Sequence, residues 1–332
     1  MEEIITLDYG SGGKKTSRLI EKHIVPRFDN EALKSLGDGA VIPGGEMLAF
    51  STDSFVVDPL FFPGGNIGKL AVCGTVNDVA MCGAEPKYLS CSLILEEGLP
   101  LETLERVLEA MGDAAEAAGV RIVTGDTKVV DRGRGDKLYI NTAGIGVMRH
   151  PLPGLAAVRP GDAVIVSGTV GDHGTAVMLA RSGMMQGDVR SDCAALNRLT
   201  EAMLSNVSSV RILRDPTRGG LATTLNEFAE GQRFGIELEE DAIPVRPEVQ
   251  ASCDMLGLEP IYCANEGKLV CLCAAGDAEK LLDVMRARPE GENAAIIGRV
   301  TEEAAGRVVM KTGLGGRRIL QKLAGAQLPR IC

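Results

Sequence analysis

The sequence of 332 residues has few aromatic side chains, 3% in all and no tryptophan. Any core must therefore be aliphatic, and the 45% hydrophobic content is enough for a large one. No run of about 18 apolar residues is present, so we expect no membrane-spanning segment and no membrane partner. Basic charge is also in deficit, with 35 Lys and Arg against 45 Asp and Glu. A net charge of −10 excludes an ordinary nucleic-acid-binding surface.

The nine cysteines lack the spacing of a metal site, because no pair is separated by two residues. The start of the chain lacks the basic residues of a secretory signal, so we expect a cytoplasmic protein with reduced thiols. Most cysteines lie in apolar runs, but Cys332 is the last residue and its neighbours do not look buried. An exposed thiol on a chain end can be modified at one place and presented at another. An incidental residue on a frayed end is the alternative.

Strand and helix patterns alternate along the chain, which predicts an α/β protein with two domains. The first half has strand patterns at 47–52, 88–95, 120–124 and 138–148 around helical patterns at 66–83 and 101–118. The helix breakers of His150-Pro-Leu-Pro-Gly154 precede a second series of strands and helices. We predict an N-terminal Gly/Lys arm at 1–36, domains at 37–150 and 155–312, and a flexible tail at 313–332.

Four aspartates of the first half lie in turns or near the ends of apolar segments. Each alone is explained as a cap or turn residue. Together they could form a site for a hard cation, because Mg²⁺ binds a few carboxylates together with phosphate oxygens. These residues are Asp38, Asp53, Asp78 and Asp126.

The N-terminal stretch Gly-Ser-Gly-Gly-Lys-Lys-Thr at 10–16 does not fit the phosphate-loop pattern, which needs four residues between its glycines and Ser or Thr after the lysine. Two interpretations stay open. Lys14 could belong to an arm that closes over phosphates, or the segment could be disordered. Among the three histidines, His173 begins a helical pattern, and we expect a capping or solvent-facing role for it rather than acid–base chemistry.

Five motifs carry a resemblance to a known family. In chain order they are Gly37-Asp-Gly-Ala40, Ser51-Thr-Asp53, Asn77-Asp-Val-Ala-Met-Cys-Gly-Ala84, Gly125-Asp-Thr-Lys128 and Asp215-Pro-Thr-Arg-Gly-Gly220. They resemble the motifs of the aminoimidazole ribonucleotide synthetase (PurM-like) ATP-binding superfamily. The last four residues, Pro329-Arg-Ile-Cys332, resemble the tail of the HypE family of hydrogenase maturation factors within it. The resemblance covers essentially the whole chain.

The resemblance implies a two-domain PurM-like α/β (α+β) fold, with N-terminal domains paired into the barrel-like core of a homodimer. It implies ATP-dependent dehydration of an S-carbamoyl group on Cys332 to a thiocyanate, with ATP and Mg²⁺ as cofactors. The partner HypF would load the carbamoyl group. A HypC–HypD complex would receive the cyano group, which becomes a cyanide ligand of [NiFe]-hydrogenase.

The resemblance also implies roles for individual residues. Cys332 would be the acceptor, Glu266 the base and Lys128 the group that stabilises the developing phosphate charge. A loop carboxylate at Glu266 and an ion pair of Lys128 with Asp126 are the plainer alternatives. The residues implied in nucleotide binding are Lys14, Asp38, Asp53, Asn77, Asp78, Asp126 and Thr127, and the four aspartates among them would hold Mg²⁺.

Two other functions stay open on the sequence. A sister enzyme such as selenophosphate synthetase or thiamine-monophosphate kinase would share the nucleotide motifs, although a selenophosphate synthetase normally has a reactive residue near the N-terminal Gly-rich segment. A non-catalytic carrier would use Cys332 to bind a metal or form a mixed disulfide. The twenty residues from Gly313 to Cys332 could extend roughly 66 Å at most, so the tail could reach both its own site and a partner.

Overall fold

The computed structural model describes residues 13–19, 21, 40–44, 46–183, 188–323, 325 and 328–332. A short helix α1 (Lys14–Leu19) precedes a five-stranded sheet with the order β1-β2-β7-β5-β6. Its strands are β1 (Ala40–Gly44), β2 (Glu46–Phe55), β5 (Ala84–Glu96), β6 (Arg121–Val130) and β7 (Leu138–Met148). A hairpin of β3 (Phe61–Phe62) and β4 (Gly65–Asn66) leads into α2 (Ile67–Met81), and α3 (Leu101–Ala118) lies between β5 and β6.

The second half forms a seven-stranded sheet with the order β14-β13-β10-β12-β8-β11-β9. Its strands are β8 (Ala163–Val166), β9 (Val210–Arg214), β10 (Gly235–Glu239), β11 (Val270–Cys273), β12 (Ala295–Thr301), β13 (Val308–Lys311) and β14 (Arg317–Leu320). Its helices are α4 (Asp172–Ser182), α5 (Asn197–Asn206), α6 (Gly220–Ala229), α7 (Pro247–Leu256) and α8 (Ala278–Arg286). Aliphatic clusters cover both faces of this sheet, as the composition requires.

Helix α2 is the central element of the first half. Asn66 caps it by accepting hydrogen bonds from the backbone N–H groups of Gly68 and Lys69, at 2.9 and 3.0 Å. Thirteen of its fifteen residues are buried, because small and aliphatic side chains occupy every side of the helix. The helix is therefore enclosed by the sheet on one side and by the second half of the chain on the other, which fixes the residues near its C-terminal end.

The face of the five-stranded sheet that points away from α2 is apolar and exposed in the described part of the chain. Phe50, Ile145 and Tyr88 are neighbours in one row across β2, β7 and β5, and all three are exposed. Ile94 adds a second apolar position on the same face. Large exposed apolar areas of this kind mark interaction surfaces.

The end of the chain differs from the predicted loose tail. Arg317–Leu320 pair with β13 as the antiparallel strand β14. Ile331 is buried in the core of the first half, and Cys332 is buried beside it. The expectation of an exposed thiol at Cys332 is therefore wrong for this structure. Burial arises from partners far away in sequence, which no local pattern around the chain end could indicate.

Most predicted elements are present within a few residues, and the helix at 101–118 and the strand at 138–148 have the expected bounds. The sequence analysis did not predict β9, α7 or β14. Among the described residues, no helix has both the length and the hydropathy needed to cross a membrane. The domain boundaries given above stay predictions.

Candidate active site

A polar cleft of about 290 Å³ lies where the two halves of the chain meet the chain end. The end of β2 and helix α2 supply Asp53 and Asp78 from the first half. The loop before α6 and the loop before β11 supply Arg218 and Glu266 from the second half. Cys332 completes the wall, so carboxylates, a guanidinium and a thiol face one space.

Asp53 and Asp78 come from neighbouring elements on the α2 side of the sheet. Asp78 accepts a hydrogen bond from the Ser51 hydroxyl at 2.7 Å. Asp53 accepts one from the backbone N–H of Ser54 at 2.8 Å. Burial raises the pKa of Asp53, while the charge of Arg218 and the Ser54 N–H act in the opposite direction. Two of the four predicted aspartates are thus brought together.

Glu266 is 3% exposed, and its Oε1 has no hydrogen-bond partner among the residues that the structure describes. Burial raises the pKa of Glu266 well above its usual value, and the nearby negative charges of Asp215, Asp53 and Asp192 raise it further. Without a ligand the protonated form of this carboxyl is therefore favoured over the carboxylate, compared with an ordinary glutamate. A buried, unpaired carboxyl aimed into a cleft is typical of a functional group rather than of a structural loop.

The backbone of Glu266 is held from three directions. Its N–H donates to Asp192 at 3.0 Å, and its carbonyl accepts from the Ala194 N–H at 3.3 Å. The Asn77 amide nitrogen also lies 3.4 Å from that carbonyl, and the Asn77 oxygen accepts from the Leu196 N–H at 2.7 Å. Asn77 is almost completely buried. The structure therefore places this predicted nucleotide ligand as a brace between the halves of the chain.

Cys332 is 7% exposed and lies against the cleft carboxylates. Burial raises the pKa of its thiol to about 12, and Glu266, Asp53 and Asp215 act in the same direction against the opposing charge of Arg218. The docked thiol is therefore protonated at neutral pH and is a poor nucleophile in place.

Arg218 and Asp215 belong to the site, although their motif was noted without a role for either side chain. The pKa of Arg218 is raised, chiefly by the Cys332 thiolate and also by Asp53, Glu266 and Asp78. The loop that holds Arg218 turns at Gly219 and Gly220, both with positive φ. A Cβ on Gly220 would lie 2.6 Å from the carbonyl oxygens of Ile261 and Cys263, so only glycine fits there. The sequence signal for Arg218 was its position directly before two glycines.

Asp126 and Lys128 lie elsewhere in the same chain. In the cross-strand register Asp126 pairs with Ser92 and Lys128 with Ile94, on the exposed face of the sheet. Asp53 occupies the opposite face, three strands away, about 14 Å at ordinary strand spacing. The expectation that all four aspartates meet within one chain is therefore wrong for Asp126. Lys128 and Asp126 form an exposed ion pair at 2.8 Å.

The remaining predicted residues are only partly described. Asp38 and the side chain of Thr127 lie outside the described residues. Lys14 begins α1 as an exposed residue, and its backbone N–H donates to the Leu323 carbonyl at 3.3 Å. Ser17, one turn further along α1, lines the cleft. The N-terminal arm thus reaches the cleft through at least one residue.

The donor set fits Mg²⁺ only in combination with a phosphate. Among the described residues, no three His, Cys, Asp or Glu side chains gather around one ion position. Mg²⁺ commonly takes one or two carboxylates and completes its shell with phosphate oxygens and water. Asp53 and Asp78 suit that role, and a cation between them would relieve the crowding of negative charge that raises the pKa of Glu266.

A second, wider groove of about 880 Å³ lies between β5, α5 and the segment around Arg149. It is lined by Glu85, Arg149, Arg198 and Glu201 among others. Glu85 and Arg149 form an ion pair at 3.0 Å across it. It is larger than the cleft, but it contains none of the predicted site residues.

Comparison with known proteins identifies the family to which the chain belongs. Residues 36–148 match the family "AIR synthase related protein, N-terminal domain", and residues 159–311 match the corresponding C-terminal domain. The carbamoyl dehydratase HypE of Cupriavidus necator is 52% identical over 332 residues, which cover 99% of this chain and 95% of that protein.

Two solved structures are similar over nearly the whole chain. A hydrogenase maturation protein HypE in complex with ATP has a TM-score of 0.84 and 52% identity, covering 99% of this chain and 100% of that one. A chain of a HypE–HypF complex has a TM-score of 0.86 and 44% identity, covering 92% of this chain and 99% of that one.

Proposed function

Because this chain belongs to the HypE family of AIR synthase-related proteins, we propose that it is an ATP-dependent carbamoyl dehydratase that acts on its own C-terminal residue. The observation that carries the proposal is the position of Cys332, buried in the wall of the cleft beside Glu266 and Asp53. A cleft that already contains its thiol suits a substrate carried covalently on the chain end.

The reaction balances as protein-S-C(O)NH2 plus ATP giving protein-S-C≡N plus ADP and phosphate. The γ-phosphoryl group moves to the carbonyl oxygen, and the C–O bond then breaks with phosphate as the leaving group. Both N–H protons must leave as the C≡N bond forms, so a base is needed. Phosphoryl transfer itself depends mainly on positioning and on neutralising charge.

Glu266 is the proposed base. Burial and the surrounding carboxylates raise its pKa and favour its protonated form. If Asp53 and Asp78 held a cation, their negative charge would be offset and Glu266 would release its proton more readily. Arg218 faces both Cys332 and Glu266 and offsets the negative charge of the phosphorylated intermediate.

A related HypE structure is a complex with ATP, which supports ATP binding by this chain; the cleft lined by Asp53, Asp78 and Arg218 is its proposed location. Asp53 and Asp78 are the residues proposed to hold Mg²⁺, and Asp215 lines the same cleft. Asp38, which its motif implies, lies outside the described residues. Mg²⁺ supplies charge neutralisation of the phosphates when it is bound. Because the reaction consumes ATP and needs a reduced thiol, we place it in the cytoplasm.

A homodimer would complete the site. The exposed row of Phe50, Ile145 and Tyr88 supports pairing of two sheets face to face, and closing them into a barrel would bring β6 of one subunit toward β2 of the other. Asp126 and Lys128 would then serve the cleft of the partner subunit. Such a dimer would explain how the motif at 125–128 belongs to the site, although Asp126 lies far from Asp53 within one chain.

Two protein partners follow from the chemistry. A HypF-type transferase would load the thiol, and the solved complex of related proteins supports this partner. The burial of Cys332 requires the chain end to leave the cleft for loading. A HypC–HypD complex would take the cyano group, since the thiocyanate must be discharged before another cycle.

The test follows the chain end by mass. The protein is incubated with HypF, carbamoyl phosphate and Mg-ATP, and the C-terminal peptide is weighed. We expect a carbamoyl adduct on Cys332 that then loses one water. An adduct that stays unchanged after ATP is supplied contradicts the dehydratase, and absence of any adduct contradicts Cys332 as the acceptor.

Mixed dimers test whether Lys128 acts across the interface. Lys128→Ala and Glu266→Gln each remove one group from a site. If the groups come from different subunits, mixing the two inactive variants rebuilds one intact site in each mixed dimer, about a quarter of wild-type activity at equal mixing. If both groups belong to one subunit, mixing restores nothing.

A further inference from the structure

The last four carbonyl groups of the chain are each held by a donor from the body of the protein. Arg181 Nη1 donates to the Pro329 carbonyl at 2.8 Å, and Arg181 Nη2 donates to the Arg330 carbonyl at 2.7 Å. The backbone N–H of Val56 donates to the Cys332 carbonyl at 2.9 Å. The fourth carbonyl, that of Ile331, lies 2.8 Å from His173 Nε2.

His173 is held in the tautomer that this contact needs. It is fully buried, so the expected capping or solvent-facing role is wrong. Ser191 Oγ accepts the backbone N–H of Cys193 at 3.1 Å and lies 2.8 Å from His173 Nδ1. Because the Ile331 carbonyl can only accept, the hydrogen of the neutral ring lies on Nε2, and Nδ1 accepts from the Ser191 hydroxyl.

Arg181 also fixes the segment against which the chain end lies. Its Nε and Nη2 donate to the Asp58 carbonyl at 2.9 and 2.6 Å. The same guanidinium therefore bridges the chain end and the segment after β2. Both His173 and Arg181 belong to α4, two turns apart, so one rigid element presents both donors.

The side chains of the chain end contribute differently. Ile331 is buried in the core, and Leu328 packs against it from the same segment. Arg330 has a φ of +50°, an unfavourable conformation for a residue with a side chain. Such a conformation persists only where surrounding contacts fix it. Here the Arg330 carbonyl accepts from Arg181, and the Arg330 side chain donates to the Val56 carbonyl and forms an ion pair with Asp136.

We propose that α4 acts as a latch, meaning that Arg181 and His173 bind the backbone carbonyls of residues 329–331 and hold the chain end in place. As positioning residues, they determine which residue of the chain end lies in the cleft. Because Arg181 and His173 bind carbonyls rather than side chains, the position of residue 332 depends on how many residues separate it from those carbonyls. Latching of the chain end stands on the contacts alone, whereas delivery of Cys332 to Glu266 rests on the proposed function. One register places the thiol in the cleft, and a shift by one residue would move it by roughly 3.3 Å along the path of the chain.

The latch is tested on the full chain by the rate of Cys332 alkylation with iodoacetamide at pH 8, without ATP or carbamoyl donor. Cleavage after Glu303 isolates the C-terminal peptide for mass spectrometry. Arg181→Met and His173→Leu should each raise the rate at least about tenfold. His173→Gln places an amide nitrogen near the position of Nε2 and should restore the wild-type rate. Arg198→Met, at an exposed site on α5, should leave it unchanged.

Two insertions of one glycine separate register from general stability. Placed between Leu328 and Pro329, the extra residue leaves all four carbonyls in sequence and should keep Cys332 protected. Placed between Arg330 and Ile331, it separates the two pairs of carbonyls and should expose the thiol as strongly as Arg181→Met does. Equal effects of both insertions overturn the proposal, as does an unchanged rate in Arg181→Met.

The outcome is independent of the proposed reaction. Alkylation needs no nucleotide, so a protein that latches its chain end but fails to dehydrate an S-carbamoyl group refutes the reaction and leaves the latch. If Arg181→Met speeds alkylation of Cys332 but the protein still dehydrates at the normal rate, delivery of Cys332 by the latch is refuted, whereas the latch and the reaction both stand.

Discussion

Glu266→Gln should stabilise the ligand-free protein increasingly as the pH rises. The carboxyl is buried with its Oε1 lacking a hydrogen-bond partner in the described part of the chain, and its pKa in the folded state is well above 4.5. The unfolded chain releases this proton near pH 4.5, whereas the folded protein retains it to a higher pH. Folded protein therefore binds more protons than unfolded protein in this window, and its stability falls as the pH rises. Glutamine has no proton to lose and removes that dependence.

The magnitude follows from the proton difference. A difference of one bound proton changes the free energy of unfolding by about 1.4 kcal/mol per pH unit. The wild type should lose this amount relative to Glu266→Gln from about pH 4.5 up to the folded-state pKa. For a chain of this length, with an unfolding entropy of about 2.1 cal/mol/K per residue, the difference in Tm should widen by about 2 °C per pH unit.

Thermal unfolding between pH 5.5 and pH 8, without nucleotide or divalent cation, measures this difference. Glu85→Gln is a control of opposite sign, since Lys87 and Arg149 lower the pKa of Glu85. The stabilisation from Glu85 is present above pH 4.5 and is lost only as the pH falls through its lowered pKa. The Tm difference of Glu85→Gln from wild type should therefore be constant over the same range. A constant difference for Glu266→Gln as well would refute the assignment of a protonated carboxyl in the cleft.

Three further changes have defined outcomes. Cys332→Ser should bind ATP like the wild type in calorimetry but yield no carbamoyl adduct, and loss of ATP binding would show that the thiol has a structural role in the nucleotide site. Ile145→Asp should convert the proposed dimer to a monomer in size-exclusion chromatography with light scattering, because it places a charge in the apolar row with Phe50 and Tyr88; Leu314→Asp, at a fully exposed apolar position outside that face, should not. Asn77→Ala should lower the Tm by about 3–4 °C, since two or three buried hydrogen bonds at about 1 kcal/mol each are lost, and an unchanged Tm would contradict its role as a brace.

The local sequence pattern predicted those helices and strands in which apolar residues recur at a regular spacing. The helix at 101–118 alternates apolar and charged residues with helical spacing, and its bounds are as expected. Strand β9 and helix α7 were missed because each is short and only partly apolar, so tertiary packing rather than local preference decides their structure. Strand β14 carries two arginines and depends on β13 for its pairing.

Some residues of the candidate site were indicated by local motifs, whereas the placement of others depends on the tertiary structure. Asp53, Asp78, Glu266 and Cys332 line one cleft, and their roles there stay predictions. Strand order could not be read from the sequence, and it is strand order that separates Asp126 and Lys128 from that cleft in one chain. The contacts of His173 and Arg181 with the chain end join positions about 150 residues apart. No spacing along the chain could have indicated them.

The buried position of Cys332 imposes an order on the proposed cycle. Burial raises the pKa of the thiol from 9.0 to about 12. Ionising it in the cleft therefore costs about 4 kcal/mol more than ionising an unburied cysteine. The thiolate needed for loading must therefore form outside the cleft, where a transferase can reach it. An S-carbamoyl group is neutral and avoids this cost on entry, and so is the thiocyanate that replaces it. Arg181 and His173 hold only backbone carbonyls, which neither modification changes, so one latch serves the free, loaded and dehydrated forms of the chain end.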